Sequence, residues 1–439
     1  MPTCLLEMDA WLAAFAAVAA CLAWAALGAP SRRRGLSPRS WRGGVGGGFR
    51  RRSQSPRTVT RDVASERRKI LFLISDTGGG HRASADALVE ALSHVAPEID
   101  ADVEDVLTDV APWPYNQAVP LYKFLAAHPA LWRLVWYGTA LFDAVVSDGA
   151  PWPGCVGPFK RHLERARADL VVSVHPMLQS GPLDALAAME RETGVKTPFA
   201  TVVTDLGAAH PTWFSRRADR VFVPSKVLRD AALAKGAKAE AVVTHGLPIR
   251  SAFSRAGDAA AAKAALGLPA DKKVVLVMGG GDGFGALRDI VRALVTTCDA
   301  ETTTVVAACG RNAALKAQIE AEGARNVVAL GFTTAIHEWM TAADLLLTKA
   351  GPGTIAEAAA LGLPVILTGY LPGQEFGNVS YVKDAGFGDF EGDPAAVAEK
   401  AAAWLQDAAK LCTLTASARK AARPRATDDI AKDLAAMAL

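Results

Sequence analysis

Short apolar runs recur along the chain from residue 69 onward, each ending at a glycine, a proline or a polar residue. The first, residues 69–75 (KILFLIS), leads into a triple-glycine turn at 78–80 and then into an amphipathic stretch at 82–92. This order predicts strand, glycine turn and helix, the opening of a doubly wound sheet. Further Val-rich runs lie at 170–174, 199–203, 220–223 and 241–243. Continuous runs of this length predict strands buried on both faces, hence a parallel sheet.

The pattern restarts at residue 273. The run 273–278 leads into a second glycine turn at 279–283, and later runs lie at 304–308, 326–330, 344–347 and 364–367. Two such units predict an α/β fold of two Rossmann-like, doubly wound domains, which we bound at 69–255 and 256–439. Ligands of these sheets bind beyond the carboxyl ends of the strands, so the two domains are expected to face a cleft.

Residues 1–68 lack the apolar periodicity of a folded domain. Residues 10–29 form an uncharged, Ala-rich stretch that ends in small residues, as a signal peptide does. Residues 31–69 are rich in Arg, Ser and Gly and nearly free of acids until Asp62, as a transit peptide is. Together they predict targeting to a plastid through the secretory route, with residues 1–68 disordered. The alternative is a retained anchor followed by a basic linker.

Charge is distributed unevenly along the chain. Thirteen Lys or Arg stand against four acids in residues 1–69, which leaves 35 basic and 41 acidic residues for the rest. The mildly acidic body gives no support for nucleic-acid binding. None of the six cysteines lies in a C-x-x-C pair or near a histidine at metal-ligand spacing, which argues against a disulfide framework and a zinc site.

The first glycine turn precedes a histidine. Gly79 and Gly80 free backbone N–H groups at a predicted helix N-terminus, where an anion or a closely approaching acceptor can bind. The turn is not a dinucleotide G-x-G-x-x-G motif, because His81 and Arg82 follow the glycines directly. His81 is a candidate general base near neutral pH, and the helix N-terminus favours its uncharged form. The alternative is a tight strand–helix connection.

A second polar group follows the run 199–203. Asp205 and His210 are expected at the carboxyl end of that strand, where they are candidates to assist His81 or replace it as the base. For His210, a structural histidine fixed before Pro211 is an equal alternative. Trp213 is either an acceptor contact or a core residue.

The segment 348–358 combines a strand end, a glycine loop and a helix start. N–H groups around Gly351, Gly353 and Thr354 can hold a diphosphate. Thr354 and Glu357 have capping-box spacing, so Glu357 is expected either to cap the helix or to accept hydrogen bonds from ribose hydroxyls. Beyond the run 364–367, a cluster of polar residues suits sugar hydroxyls: Gln374, Glu375 and Asn378.

Four segments together resemble the monogalactosyldiacylglycerol synthase family of family 28 glycosyltransferases: SDTGGGHRASADAL, TDLGAAHPTWF, KAGPGTIAEA and LPGQEFGN. The resemblance covers roughly 69–400 in order, and a more distant similarity runs to the enzyme that adds N-acetylglucosamine to a peptidoglycan lipid. It implies the GT-B fold, UDP-galactose bound mainly by the C-terminal domain, and diacylglycerol entering on the N-terminal side. Some nucleotide-sugar epimerases share this fold, so fold alone does not decide the activity.

The resemblance also implies residue roles. His81 corresponds to the family's base or acceptor-binding histidine, and Glu357 to its ribose-binding glutamate. Gln374 and Glu375 correspond to the pair near the sugar hydroxyls. Two further positions are assigned to the donor site: Phe332, where the uracil pocket is expected, and Gly280 in the second glycine turn.

The implied reaction is a single displacement, in which the 3-hydroxyl of diacylglycerol attacks the anomeric carbon of UDP-galactose with inversion. It needs a base and leaving-group stabilisation but no cofactor. No Asp-x-Asp motif closes a strand of the second domain, so helix N-termini rather than a metal are expected to stabilise UDP. The acidic stretch 102–109 is interpreted as a solvated face.

Three rival functions remain. One is the same fold with UDP-glucose or UDP-N-acetylglucosamine as donor, the second is a nucleotide-sugar epimerase, and the third is a non-catalytic lipid-binding protein. The sequence leaves a homodimer and activation by anionic lipid open.

Residues 111–160 hold four of the chain's ten tryptophans and three of its five tyrosines, with cations close behind. Amphipathic aromatics beside cations suit a membrane interface. We therefore predict peripheral or monotopic contact with a plastid envelope or thylakoid membrane, with Trp132 and Trp136 at the lipid surface. The alternative is a helical subdomain with core aromatics.

Overall fold

The computed structural model describes residues 67–126, 128–141, 154–254, 257–279 and 286–439. The predicted targeting segment lies outside them, apart from its last two residues. Gly280 and the predicted domain boundary between residues 255 and 256 also lie outside them.

The first sheet has six parallel strands in the order β2-β1-β3-β4-β5-β6 within the described residues. The strands are β1 (Arg68–Ile74), β2 (Ile99–Asp105), β3 (Leu170–Ser173), β4 (Phe199–Val202), β5 (Arg220–Val223) and β6 (Val242–Thr244). The helices are α1 (Gly80–Val95), α2 (Val106–Asp109), α3 (Ala118–Ala126), α4 (Pro129–Leu141), α5 (Val156–Ala166), α6 (Ser180–Thr193), α7 (Lys226–Ala234) and α8 (Ser251–Ser254). Alternate residues of β1 enter two apolar clusters, so both faces of the sheet are covered.

The second sheet has the order β12-β11-β10-β7-β8-β9, again parallel, in the part of the chain that is described. Its strands are β7 (Lys273–Met278), β8 (Thr303–Ala308), β9 (Val327–Leu330), β10 (Leu345–Lys349), β11 (Val365–Gly369) and β12 (Gly388–Phe390). The helices are α9 (Ala259–Ala265), α10 (Leu287–Thr297), α11 (Ala313–Ala321), α12 (Ile336–Ala342), α13 (Pro352–Leu361), α14 (Phe376–Ala385), α15 (Pro394–Gln406), α16 (Ala408–Ala421) and α17 (Ala426–Ala438). Two apolar clusters cover its faces.

The predicted α/β class with two doubly wound parallel sheets is confirmed, but β2 and β12 were not predicted. The sequence of β2, IDADVED, alternates acids with apolar residues, and an edge strand can expose such carboxylates. Asp102 pairs with Lys69, and Asp105 caps α2. The stretch interpreted as a solvated acidic face is therefore the outer strand of the sheet and the cap of the next helix.

The last helix corrects the predicted domain division. Residues 426–438 were assigned to the second domain, yet α17 packs on α1, β1 and β3 of the first. Ile430 and Leu434 enter the same apolar cluster as Phe72. Thr427 Oγ1 donates a hydrogen bond to the Ile249 carbonyl at 2.8 Å. The amphipathic helix buries its apolar face there, so α17 forms part of the core of the first domain.

Candidate active site

All four motif segments follow the carboxyl end of a parallel strand, and loops of the two domains touch there. Asn378 Oδ1 accepts a hydrogen bond from Gly207 N at 2.8 Å, and Asn378 Nδ2 donates to the Ala350 carbonyl at 2.8 Å. A Cβ on Gly207 would lie 2.1 Å from the Gly377 carbonyl oxygen, so the approach requires glycine. Asn378 thus joins the two domains through its amide, an interdomain role that the sequence did not predict.

His81 lies in the first turn of α1, after the glycine turn. Gly79 caps the helix with a left-handed φ of +74°, which glycine adopts without strain. His81 Nδ1 lies 2.9 Å from Thr204 Oγ1 at the end of β4. Burial lowers the pKa of His81 to about 4, against smaller opposing effects of a hydrogen bond with the Val174 backbone and of Asp76. The imidazole is therefore uncharged at neutral pH, as a general base must be.

A second histidine, which sequence reasoning missed, lies beside His81. The ring centroids of His81 and His175 are 4.6 Å apart. His175 Nδ1 accepts a hydrogen bond from Met177 N at 3.3 Å, so Nε2 carries the proton toward Thr77 Oγ1, 3.3 Å away. Burial, with a contribution from His81, lowers the pKa of His175 well below its usual value. Its position directly after the Val-rich run 170–174 and before Pro176 is the signal that could have identified it.

Asp205 follows β4 and is buried beneath the second domain. Trp213 Nε1 donates a hydrogen bond to Asp205 Oδ2 at 2.6 Å. Burial raises the pKa of Asp205 to about 7; the Trp213 hydrogen bond opposes this rise, Glu375 adds to it, and Gln374 opposes it. Trp213 is itself fully buried, so the prediction of a membrane or acceptor surface gives way to the core alternative.

His210 has a structural environment. Its Nδ1 accepts a hydrogen bond from Thr212 N at 3.3 Å and lies 2.8 Å from Thr212 Oγ1, capping the short 3-10 helix Pro211–Trp213. Its Nε2 lies 3.1 Å from Thr139 Oγ1 of α4. Because both ring nitrogens contact threonines, the structural alternative is favoured over a catalytic role.

The glycine loop after β10 opens α13 as predicted, but its cap differs. Gly351 is the N-cap and Pro352 the first helical residue, so Thr354 lies inside the first turn and no capping box forms. Glu357 lies in the second turn, buried, and its Oε1 accepts hydrogen bonds from Arg250 Nε at 3.0 Å and Nη2 at 2.8 Å. Burial raises the pKa of Glu357, and Arg250 opposes the rise. The helix-capping alternative is wrong, and Arg250 is a site residue that sequence reasoning missed.

Glu375 is buried and paired with a cation. Its Oε1 lies 2.5 Å from Lys349 Nζ, and its Oε2 accepts a hydrogen bond from Leu371 N at 2.9 Å. Lys349 also borders the glycine loop, since a Cβ on Gly351 would lie 3.6 Å from its Nζ. Gln374 Oε1 is buried and has no hydrogen-bond partner among the described residues. A ligand hydroxyl could satisfy this orphaned oxygen.

Two further donor-site predictions have open surroundings. No atom lies within 4 Å of a Cβ built on Gly353, so the N-terminal N–H groups of α13 are accessible to a ligand. Phe332 follows β9 with 57% of its surface exposed, and the Arg311 guanidinium carbon lies 4.4 Å from its ring centroid. An exposed ring beside a cation suits a nucleobase, and the uracil role of Phe332 stays a prediction.

The tryptophans predicted at the lipid surface contact the second domain instead. Trp132 is 8% exposed, and its Nε1 donates a hydrogen bond to the Pro372 carbonyl at 3.0 Å. Trp136 covers Gly373, where an added Cβ would lie 2.3 Å from the indole Cδ1. The core alternative therefore holds for Trp132, and the half-buried Trp136 packs on the loop of the second domain that occupies this face of α4. Another face of α4 exposes Leu131, Leu134 and Tyr137.

Comparison with known proteins agrees with this architecture. Residues 81–249 match the family model for monogalactosyldiacylglycerol (MGDG) synthase, and residues 274–388 match the glycosyltransferase family 28 C-terminal domain. Monogalactosyldiacylglycerol synthase 1, chloroplastic, from Arabidopsis thaliana is 36% identical over 383 residues, which cover 84% of this chain and 71% of the relative. The Spinacia oleracea enzyme is 37% identical over 377 residues, 84% of this chain and 72% of the relative.

Solved structures show the same fold at low identity. MurG from Acinetobacter baumannii superposes with a TM-score of 0.53 at 16% identity, covering 84% of this chain and 99% of that one. Anabaena HepE in complex with UDP and glucose gives a TM-score of 0.51 at 17% identity, covering 84% and 100%. These likenesses establish the GT-B fold, while the sequence relatives establish the family. The chain thus belongs to the monogalactosyldiacylglycerol synthase family and is a family 28 glycosyltransferase.

Proposed function

We propose that this chain transfers galactose from UDP-galactose to the 3-hydroxyl of 1,2-diacylglycerol with inversion, giving a β-galactolipid and UDP. The names of its relatives support these substrates. The observation that carries the proposal is the hydrogen bond from Gly207 N to Asn378 Oδ1 at 2.8 Å, which brings the loop that carries Gln374 and Glu375 against the loop that carries Asp205. The reacting carbon and hydroxyl must be held together at such a junction, because each domain binds one substrate.

His81 is the base in this proposal. An alcohol becomes a good nucleophile only as its proton begins to leave, so a base within hydrogen-bond reach is needed. His81 is uncharged, half-buried and held by Thr204. Asp205 is the rival, because its pKa of about 7 lies near the working pH. Trp213 contacts both, with its ring centroid 6.0 Å from that of His81, so either group would act beside the same indole.

The second domain is proposed to bind the donor. The N-terminal N–H groups of α13 and the Lys349 ammonium would hold the diphosphate and stabilise UDP as it leaves. Glu357 would accept hydrogen bonds from ribose hydroxyls through Oε2, because its Oε1 already accepts two from Arg250. Gln374 and Glu375 would read the galactose hydroxyls. Within the described residues, no three His, Cys, Asp or Glu side chains converge as metal ligands; metal independence stays a prediction, tested by turnover in EDTA.

Membrane contact is proposed to be peripheral or monotopic and to use α4. Leu134 and Tyr137 of this helix are 63% and 52% exposed. Exposed aromatic and aliphatic side chains on one helix suit the interfacial layer of a bilayer. Within the described ranges, every helix is too short or too polar to cross a membrane. The chloroplastic relatives and the signal- and transit-like residues 1–68 support a plastid membrane as the location.

One assay tests the reaction. Purified 67–439 would be mixed with diacylglycerol vesicles and either UDP-galactose or UDP-glucose, and the product's anomeric configuration determined by NMR. We expect a β-galactosyl lipid and slower turnover with UDP-glucose. Faster turnover with UDP-glucose would reassign the donor, and conversion of the nucleotide sugar without any lipid product would favour the epimerase. Sedimentation of the same sample tests the homodimer.

A further inference from the structure

The loop that carries Gln374 and Glu375 is built on a tight turn at Pro372 and Gly373. Gly373 has a φ of +83°, a left-handed value that glycine adopts without strain, and the Leu371 carbonyl accepts a hydrogen bond from Glu375 N at 2.9 Å, which closes a five-residue turn. In such a turn the central peptide, here between Pro372 and Gly373, sets the direction of the Pro372 carbonyl. Because glycine adopts other backbone angles at little cost, rotation of that peptide would redirect the Pro372 carbonyl and change the path of the loop.

Trp132, a residue of the first domain, hydrogen-bonds the peptide between Pro372 and Gly373. Its Nε1 donates to the Pro372 carbonyl at 3.0 Å. The indole is buried, with the Tyr122 ring centroid at 5.3 Å and the Trp136 ring centroid at 5.7 Å. A hydrogen bond from a packed ring fixes the carbonyl direction more firmly than one from a mobile surface donor would, because little side-chain freedom is left to lose.

This turn also orients Gln374 and Glu375, the side chains that are proposed to bind the sugar hydroxyls. Glu375 N donates to the Leu371 carbonyl at 2.9 Å, and Glu375 Oε2 accepts from Leu371 N at 2.9 Å, so the carboxylate is tied back across the turn. Gln374 precedes Glu375 in this loop, and its Oε1 is buried without a hydrogen-bond partner among the described residues. A rotated central peptide would shift both side chains relative to Lys349 and Asp205.

We infer that Trp132 is a positioning residue for the donor sugar: through the Pro372 carbonyl it sets the loop 371–375 and thereby the affinity for the hexose, without contacting the donor. The inference rests on the proposed function, in which Gln374 and Glu375 read the galactose hydroxyls. UDP lacks the hexose, so UDP affinity should not depend on Trp132. This difference separates positioning from a merely structural role.

The test measures the dissociation constants of UDP-galactose and of UDP by calorimetry in Trp132→Phe, which keeps a ring but removes the N–H. We expect about five-fold weaker UDP-galactose binding, the equivalent of one hydrogen bond, a smaller preference over UDP-glucose, and unchanged UDP binding. Trp404→Phe, a tryptophan of α15 beside Lys410, is the matched control and should change neither constant. Gln374→Ala should weaken UDP-galactose binding without changing UDP binding, because it removes the orphaned Oε1 and leaves the ion pair of Glu375 with Lys349 in place.

The outcomes separate the two claims. Equal losses for UDP and UDP-galactose in Trp132→Phe would make Trp132 structural and overturn the inference. Normal UDP-galactose binding in Trp132→Phe with a loss in Gln374→Ala would also overturn it while leaving the proposed site intact. Normal binding in both variants would remove the sugar-reading role of the loop and the inference with it.

Discussion

The two sides of the cleft hold their polar groups in opposite ways. On the first domain, neither His81 nor Asp205 forms an ion pair among the described residues. Burial lowers the pKa of His81 and raises that of Asp205, and both shifts favour the uncharged form. On the second domain, Glu357 and Glu375 are also buried, but Arg250 or Lys349 lies against each carboxylate. Burial alone therefore does not distinguish the sides; the presence of a paired cation does.

The difference matches what each side is proposed to bind. A lipid hydroxyl is uncharged and needs an uncharged base in a dry site, where loss of its proton can be assisted. UDP is an anion and needs cations and N–H groups that stay charged or polarised in the same low-dielectric cleft. A cation near His81 would lower the pKa of the imidazole further and make it a weaker base. A diphosphate without nearby cations, in contrast, would leave UDP unstabilised as it departs.

The largest effect is expected from the acceptor side. His81→Ala should lower turnover by about 100- to 10,000-fold, the usual loss for a general base, while UDP binds normally to the second domain. His94→Ala, at the exposed end of the same helix, is the matched control and should retain activity. Near-normal turnover in His81→Ala, with a large loss in Asp205→Asn, would transfer the base role to Asp205.

Substitutions on the donor side should change the dissociation constants of UDP and UDP-galactose rather than the proton-transfer step. Glu357→Ala should weaken UDP and UDP-galactose together by about 10- to 100-fold, because charge-assisted hydrogen bonds to the ribose are lost from both. Diacylglycerol binding should not change. Glu399→Ala, on the exposed face of α15, is the control. Unchanged constants in a folded Glu357→Ala variant would restrict Glu357 to the interdomain pair with Arg250.

The pH dependence of kcat/KM distinguishes the two candidate bases. A base works only when unprotonated, so the rate should fall about tenfold per pH unit below its pKa. With His81 as base the rate should stay level from neutral pH down toward about 4. With Asp205 as base the fall should begin near pH 7. A fall near pH 7 that disappears in Asp205→Asn would assign the base to Asp205.

A smaller effect is expected from the exposed face of α4. Replacing Leu134 and Tyr137 by serine should weaken vesicle binding about tenfold, because two apolar side chains no longer leave water, with little change in Tm. Val227→Ser, exposed on α7, serves as control. In contrast, Trp132→Ala should lower Tm, since it removes a buried ring. Full vesicle binding by the double serine variant would exclude this face as the membrane contact.

The smallest effect is expected from the N-terminus. A chain beginning at residue 67 should fold and turn over as the full chain does, because β1 begins at Arg68. A chain beginning at residue 70 should have a slightly lower Tm, since it loses the hydrogen bonds that Arg68 and Lys69 make with Asp169. Inactivity of 67–439 would show that the leader belongs to the enzyme.

Most strands of both sheets could be predicted because a parallel strand covered on two faces must be nearly continuously apolar, as 170–172 and 274–278 are. The edge strand β2 could not be predicted, because one of its sides faces solvent and tolerates four carboxylates. The α17 helix was placed in the wrong domain because its amphipathic pattern shows that it packs, but not against which sheet.

By itself, the sequence determined two doubly wound sheets and the loops that carry the chemistry, since glycines and polar residues at strand ends mark them locally. Only the tertiary structure decided the partner of each polar group. Arg250 and Glu357 are 107 residues apart, and Trp132 and Pro372 are 240 apart. Local patterns encode burial and turns over a few residues, whereas these contacts arise only when two separately folded sheets bring their loops together.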